Sequence, residues 1–147
     1  MPKLAAREGK REFVIPPESE IAREIAALEK MGGRFLLSCE PDFPAGLAAL
    51  EPPPPAIAVL GHAHLLRKDM VAIVGARNAS ALGRKLAWML SRELGEAGLA
   101  VVSGLARGID DAAHDAALES GTVAVVAGGI DIVYPSENTG LYDAIRE

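Results

Sequence analysis

The chain has 147 residues, enough for one domain with a buried core. Hydrophobic residues make up 50% and charged residues 24%, the balance of a soluble globular protein, while aromatics reach only 4% beside 15 glycines and 10 prolines. The formal net charge of −5 excludes a protein that coats nucleic acid through bulk positive charge, although a local basic cleft remains open to it.

With so few aromatics, the core falls to Ala, Val, Leu and Ile, and small apolar residues with many glycines suit helices lying close on a parallel sheet. Cys39 is the single cysteine, so no internal disulfide forms, and a reducing, cytoplasmic setting is expected. Cys39 itself reads as a small, partly buried apolar residue. No apolar run has membrane-spanning length, and Met1-Pro2-Lys3-Leu4 lacks the apolar stretch of a secretory signal. No membrane partner is expected.

In chain order, residues 1–18 are polar and irregular. Ser19 is placed to cap a helix from Glu20 to about Met31, with Ile21, Ile25 and Leu28 on one face and Gly32-Gly33 as its stop. Arg34 to Ser38 reads as a short strand, and Glu40-Pro41-Asp42-Phe43-Pro44 as a turn into a short helix with Leu47 and Leu50. Pro52 to Pro55 is a stiff connector to a second strand, Ala56 to Leu60. Residues 1–31 thus form an arm and helix ahead of a domain spanning 32–147.

From about residue 70 a βα repeat begins. Met70 to Val74 is continuously apolar, as expected of a strand buried on both faces. The turn Gly75-Ala76-Arg77-Asn78-Ala79-Ser80 leads to a helix from Ala81 to Ala97, with Leu86, Leu90, Leu94 and Ala97 as its apolar stripe. Leu99 to Val102 is the next strand, Ser103-Gly104-Leu105-Ala106-Arg107-Gly108 the next turn, and Ile109 to Glu119 the next helix. Thr122 to Val126 is the third strand and Gly128-Gly129 the third turn, while Asn138 is placed to cap a last helix through Leu141 and Ile145. Strands recurring at the length of a βαβ unit predict a Rossmann-like, doubly wound, mostly parallel α/β sheet.

In a parallel sheet every strand-to-helix turn leaves at the same edge, where open α/β sheets bind ligands. Each turn offers backbone N–H groups at a helix start, which favours an anion. Two of the turns also carry a guanidinium, Arg77 and Arg107, suited to phosphate. The dinucleotide fingerprint is absent, because the first turn has one glycine and Ser103 stands where an acidic ribose ligand is needed. The P-loop pattern is absent as well. No cofactor is expected, and a phosphate grip without those parts suits a nucleic-acid backbone.

At these residues the sequence resembles the DprA/Smf family of DNA-processing proteins. The resemblance is carried by Val71 through Arg77, by Val102 through Asp110 with Ala113-His114, and by Val125 through Gly128 with Asp131, Tyr134-Pro135 and Asn138. Asp42-Phe43-Pro44, Leu47 and Gly61 extend it to roughly residues 20–147. The resemblance implies an extended Rossmann fold that binds and protects single-stranded DNA in natural transformation, helps load the RecA recombinase, and defines no catalytic reaction. It leaves a homodimer open. By position it implies a phosphate-gripping turn at Gly75, Ala76 and Arg77 and a second signature at Ser103, Gly104, Gly108 and Asp110; the turn reading adds Asn78, Arg107, Gly128 and Gly129 as DNA or phosphate contacts, with Asp110 and His114 in support. Some members have a basic residue after the Tyr-Pro pair, where this chain has Ser136. The family's fold also continues past the position of Glu147, so the sheet is expected to be incomplete at the C-terminus, with an unpaired edge.

Arg84 and Lys85 sit in the first turn of a helix, where the dipole disfavours cations, so nearby phosphate and a plain solvated face both account for them. Asp110 reads as support for the helix start or the Ser103 turn, and His114, four residues on, as a buried histidine that orders the site. His62 and His64 have no further ligand at metal spacing. Trp88 falls off its helix's apolar stripe and reads as packing on a neighbouring element. Two other functions remain: a Rossmann-like hydrolase of nucleoside monophosphate N-glycosidic bonds, which needs a glutamate in the cleft, and a small-nucleotide sensor.

Overall fold

The computed structural model describes residues 15–147. Most of the expected N-terminal arm lies outside them. Helix α1 spans Glu18–Lys30 and starts from Pro17 with no side-chain cap. Ser19 is therefore inside the helix rather than at its cap. The preset φ of Pro17 and the acids Glu18 and Glu20 in the first turn are sufficient to start it. Of the expected stripe only Leu28 is buried.

Strands β1 (Arg34–Leu37) and β2 (Ala56–Val59) pair antiparallel in their own small sheet, with the short helix α2 (Ala45–Ala48) between them in sequence. Cys39, in the turn after β1, is exposed rather than partly buried. A one-turn 3₁₀ segment, Ala63–Arg67, then leads to the parallel sheet.

That sheet has the order β3 (Met70–Ala72), β4 (Ala100–Ser103), β5 (Thr122–Ala124). Helix α3 (Ala81–Glu96) links β3 to β4, and α4 (Ile109–Ala117) links β4 to β5. Right-handed crossovers taken in one direction put both helices on one face. Val101, Ala113, Ala117 and Ile73 form the core between sheet and helices. After β5 an irregular stretch and a 3₁₀ turn, Ser136–Asn138, lead to α5 (Thr139–Arg146).

Two packing expectations are corrected. Side chains alternate across a strand, so Met70 and Val74 lie on the face opposite Ile73. Val74 is 71% exposed there, and Val125 is 62% exposed on the same side of β5. The apolar strand is thus buried on one face only, the face on which all the crossover helices among the described residues lie.

The second correction concerns α3. Its expected apolar stripe faces outward, with Leu86 56% and Leu90 46% exposed. The buried stripe is Ala87, Ser91 and Gly95. Small residues at a spacing of four let α3 approach α4 closely, and a Cβ at Gly95 would overlap Ser120. At the margin of this contact Arg84 pairs with Asp111 at 3.3 Å and the Trp88 indole N–H donates to Asp115 at 3.2 Å. Larger residues on the buried stripe would push these partners apart. No helix among the described residues is long and apolar enough to cross a membrane.

Candidate functional site

Because β3, β4 and β5 run parallel, their three exits lie along one edge of the sheet. The first exit is the turn from Gly75 to Ser80. Ser80 closes it as the cap of α3, its Oγ accepting the Gly83 N–H at 3.1 Å. A serine directly before a helical run is the sequence signal for that cap. The backbone N–H groups from Gly75 to Ser80 make no hydrogen bond among the described residues. Arg77 is exposed and makes no ion pair there. The first turn of α3 contains no acidic residue.

The second exit is built differently. Asp110 is buried, and its Oδ2 accepts the N–H groups of Gly104 at 3.2 Å and Ala106 at 3.4 Å. Between them Leu105 takes a left-handed φ of 62°, unfavourable for a residue with a Cβ, while its side chain is fully buried. Asn138 Nδ2 donates to the Leu105 carbonyl at 2.8 Å. Asn138 precedes α5, but its side chain makes no capping bond, a correction to its expected role. The amide is committed to a turn 33 residues earlier.

The two turns touch. Gly108 has a φ of 94°, and a Cβ there would overlap the Ala76 and Arg77 carbonyl oxygens. The Ile109 N–H donates to the Ala76 carbonyl at 3.3 Å, and the Ile109 side chain covers Gly75. Ser103 Oγ donates to the Ile73 carbonyl at 2.6 Å, tying the ends of β4 and β3 together. Ser103 is buried and its hydroxyl proton is already used, so it holds the rim from inside.

The third exit meets the second through the Val125 N–H, which donates to the Ser103 carbonyl at 2.8 Å. Gly128 and Gly129 are exposed beyond it, and the Tyr142 hydroxyl donates to the Ile130 carbonyl at 2.6 Å. Arg107 is exposed on the second turn, with Glu137 3.8 Å away. Among the described residues, Arg77 is therefore the rim guanidinium without a carboxylate beside it.

His114 lies one helical turn beyond Asp110 and is fully buried. Its Nδ1 is 2.7 Å from Thr122 Oγ1, which itself donates to the Val101 carbonyl at 2.9 Å. Because the Thr122 hydroxyl proton is spent on Val101, Thr122 Oγ1 is placed to accept from Nδ1, and the buried Nε2 makes no hydrogen bond among the described residues. Burial pushes its pKa down to about 4, against the opposing pull of Asp110. It is neutral near pH 7 and lies behind the rim.

Other candidates are less suited to an anion. A groove of about 460 Å³ on the helix side is lined by Arg84, Lys85 and Trp88, but Asp111 and Asp115 face them across it. The His62 and His64 rings meet edge to face with centroids 5.6 Å apart, and no cluster of three potential metal ligands occurs among the described residues.

The family model for DNA recombination-mediator protein A matches residues 34–147, including every rim turn. The chain belongs to this family. Within the DNA recombination-mediator protein A family, it is 33% identical over 144 residues to DNA processing protein DprA of Bacillus subtilis, covering 96% of this chain and 48% of that protein. It is 30% identical to protein Smf of Escherichia coli, covering 98% of this chain and 39% of that protein. The chain thus spans less than half the length of these relatives. The solved DprA of Streptococcus pneumoniae superposes with a TM-score of 0.77 at 32% identity, over 88% of this chain and 44% of that one. DNA processing protein A of Helicobacter pylori, described for its single-stranded DNA binding mode, gives a TM-score of 0.70 at 29% identity, over 78% of this chain and 52% of that one. The Rossmann-like α/β fold is accordingly that of DNA recombination-mediator protein A proteins.

Proposed function

We propose that this chain binds single-stranded DNA by its sugar-phosphate backbone, with the turn from Gly75 to Asn78 and Arg77 as the principal grip. One observation carries the reading. Among the described residues, the first rim turn has a row of N–H groups and a guanidinium without partners, and it has no carboxylate of its own. That combination attracts an anion and supplies the donors to hold it. Gly128 and Gly129 offer further open backbone along the same edge. A net charge of −5 confines attraction to this rim, so a short run of phosphates is engaged rather than a long coat.

The reading is of a binding module without a catalytic step. The hydrolase alternative needs a glutamate in the cleft. Glu137 is exposed against Arg107, and Glu119 lines a groove near the start of β5, at the opposite end of the sheet. The family and the single-stranded-DNA-binding relative support a DNA-processing role; a cytoplasmic setting, incoming DNA as the substrate, strand protection, RecA loading and homodimer formation are parts of the proposal.

The test is fluorescence anisotropy with a labelled oligothymidine at several salt concentrations. Arg77→Ala is expected to weaken binding about tenfold and to lower the salt slope by about one phosphate contact. Equal affinity and slope in the two proteins would remove Arg77 from the site.

A further inference from the structure

We propose that Asp110 is a positioning residue that acts as a built-in anion: it occupies the second rim turn and leaves the first as the rim's phosphate grip. The inference rests on the phosphate-binding reading above and assigns its division of labour. In many anion sites, successive N–H groups of a turn converge on a phosphate oxygen. In the turn after β4 the N–H groups of Gly104 and Ala106 converge on Asp110 Oδ2. The carboxylate is buried, and a Cβ at Gly104 would lie 2.9 Å from this oxygen. A phosphate entering there would displace or face a fixed negative charge. It would also find those two donors spent.

The same carboxylate shapes the neighbouring turn. By holding both amides flanking Leu105, it stabilises the left-handed backbone at that residue. The chain then continues through Gly108 into contact with the Ala76 and Arg77 carbonyls. Those carbonyls face α4, with Ala76 accepting the Ile109 N–H. Asp110 thus fixes the orientation of the first turn without touching its ligand. Asp111, the next residue, points a carboxylate to Arg84 instead. The two adjacent acids therefore serve different elements, and only Asp110 serves the rim.

The experiment is an amide ¹H–¹⁵N titration of the full chain with inorganic phosphate and, separately, with oligothymidine. Resonances of Gly75 to Ser80 are expected to move, while those of Gly104 and Ala106 stay in place. Equal movement in both turns would show the second turn to be a phosphate site and overturn the proposal. Silence in both turns would remove the phosphate reading itself, a result distinct from the first. The variants Asp110→Asn, which keeps the shape, and Asp110→Ala supply the second readout. Asp110→Asn is expected to weaken oligonucleotide binding about tenfold while Arg77 is intact. In Asp110→Ala, tens of millimolar formate is expected to restore part of the affinity by refilling the vacated position. Wild-type affinity in Asp110→Asn, with the first-turn amides unmoved, would refute the positioning role whether or not the alanine variant folds.

Discussion

The turns after β3 and β4 are alike in sequence character and differ in whether the protein places a carboxylate on them. Each leaves a parallel strand, carries an arginine and opens a helix. The turn at Gly75 keeps its N–H groups unspent and has no acid in the first turn of α3. In the turn at Gly104 two N–H groups, those of Gly104 and Ala106, are taken by Asp110, and Asn138 anchors the Leu105 carbonyl. The difference teaches that a glycine turn before a helix is an anion site only if the protein has not already supplied the anion. In the proposed reading it also separates two tasks: the turn held by Asp110 is a support, and the turn at Gly75 meets the ligand.

The largest effect is expected where the two turns meet. Gly108→Ala forces a Cβ onto the Ala76 and Arg77 carbonyls at a φ of 94°. It should cost about 3 kcal/mol or more in chemical denaturation, because strain and overlap act together. A cost under about 1 kcal/mol would mean that the turns are not locked together.

Acid tests the support from behind. His114 stays neutral in the folded chain down to about pH 4, whereas in the unfolded chain it protonates near its ordinary 6.5. Between these values the unfolded state binds more protons, so stability falls as pH falls through that window and levels off below it. The loss is at most on the order of 3 kcal/mol, by the linkage of pKa shifts to folding. Urea unfolding at pH 7 and pH 4.5 measures it, and His114→Gln should flatten the dependence.

Asn138→Ala removes the donor to the buried Leu105 carbonyl and is expected to destabilise by about 1–2 kcal/mol, measured by thermal unfolding. Because Asn138 holds the turn at Gly104, the same variant should reduce oligonucleotide affinity less than Arg77→Ala does.

The smallest effect sharpens the comparison most. Arg107 is exposed and has Glu137 at 3.8 Å, so Arg107→Ala should change oligonucleotide affinity by no more than about twofold. An Arg107 effect equal to that of Arg77 in the same anisotropy assay would merge the two turns into one site.

Much of this architecture was legible in the sequence, for local reasons. The apolar runs from Met70, Leu99 and Thr122 and the glycines after them are near-neighbour signals. Parallel pairing of the strands then places the turns on one edge, and right-handed crossovers place the helices on one face. Burial was less legible. On α3 the leucines at 86 and 90 draw attention as a hydrophobic stripe, yet Ala87, Ser91 and Gly95 are inside. Close helix contact selects small residues, and hydrophobicity alone does not reveal that selection. Asn138 differs from its local signal for a related reason: a residue of good capping type stands at a helix start, but a more distant acceptor claims its side chain.

By itself the sequence determined the βα repeat, the glycine turns and the arginines on two of them, because strand period, helix period and turn chemistry operate over a few residues. Only the tertiary structure decided which backbone donors are left for a ligand. That outcome depends on the Asp110 carboxylate folding back onto one turn and on the Asn138 amide arriving from far along the chain. Hydrogen-bond partners are settled by proximity in space, and a donor already bonded inside the protein cannot hold a phosphate as well.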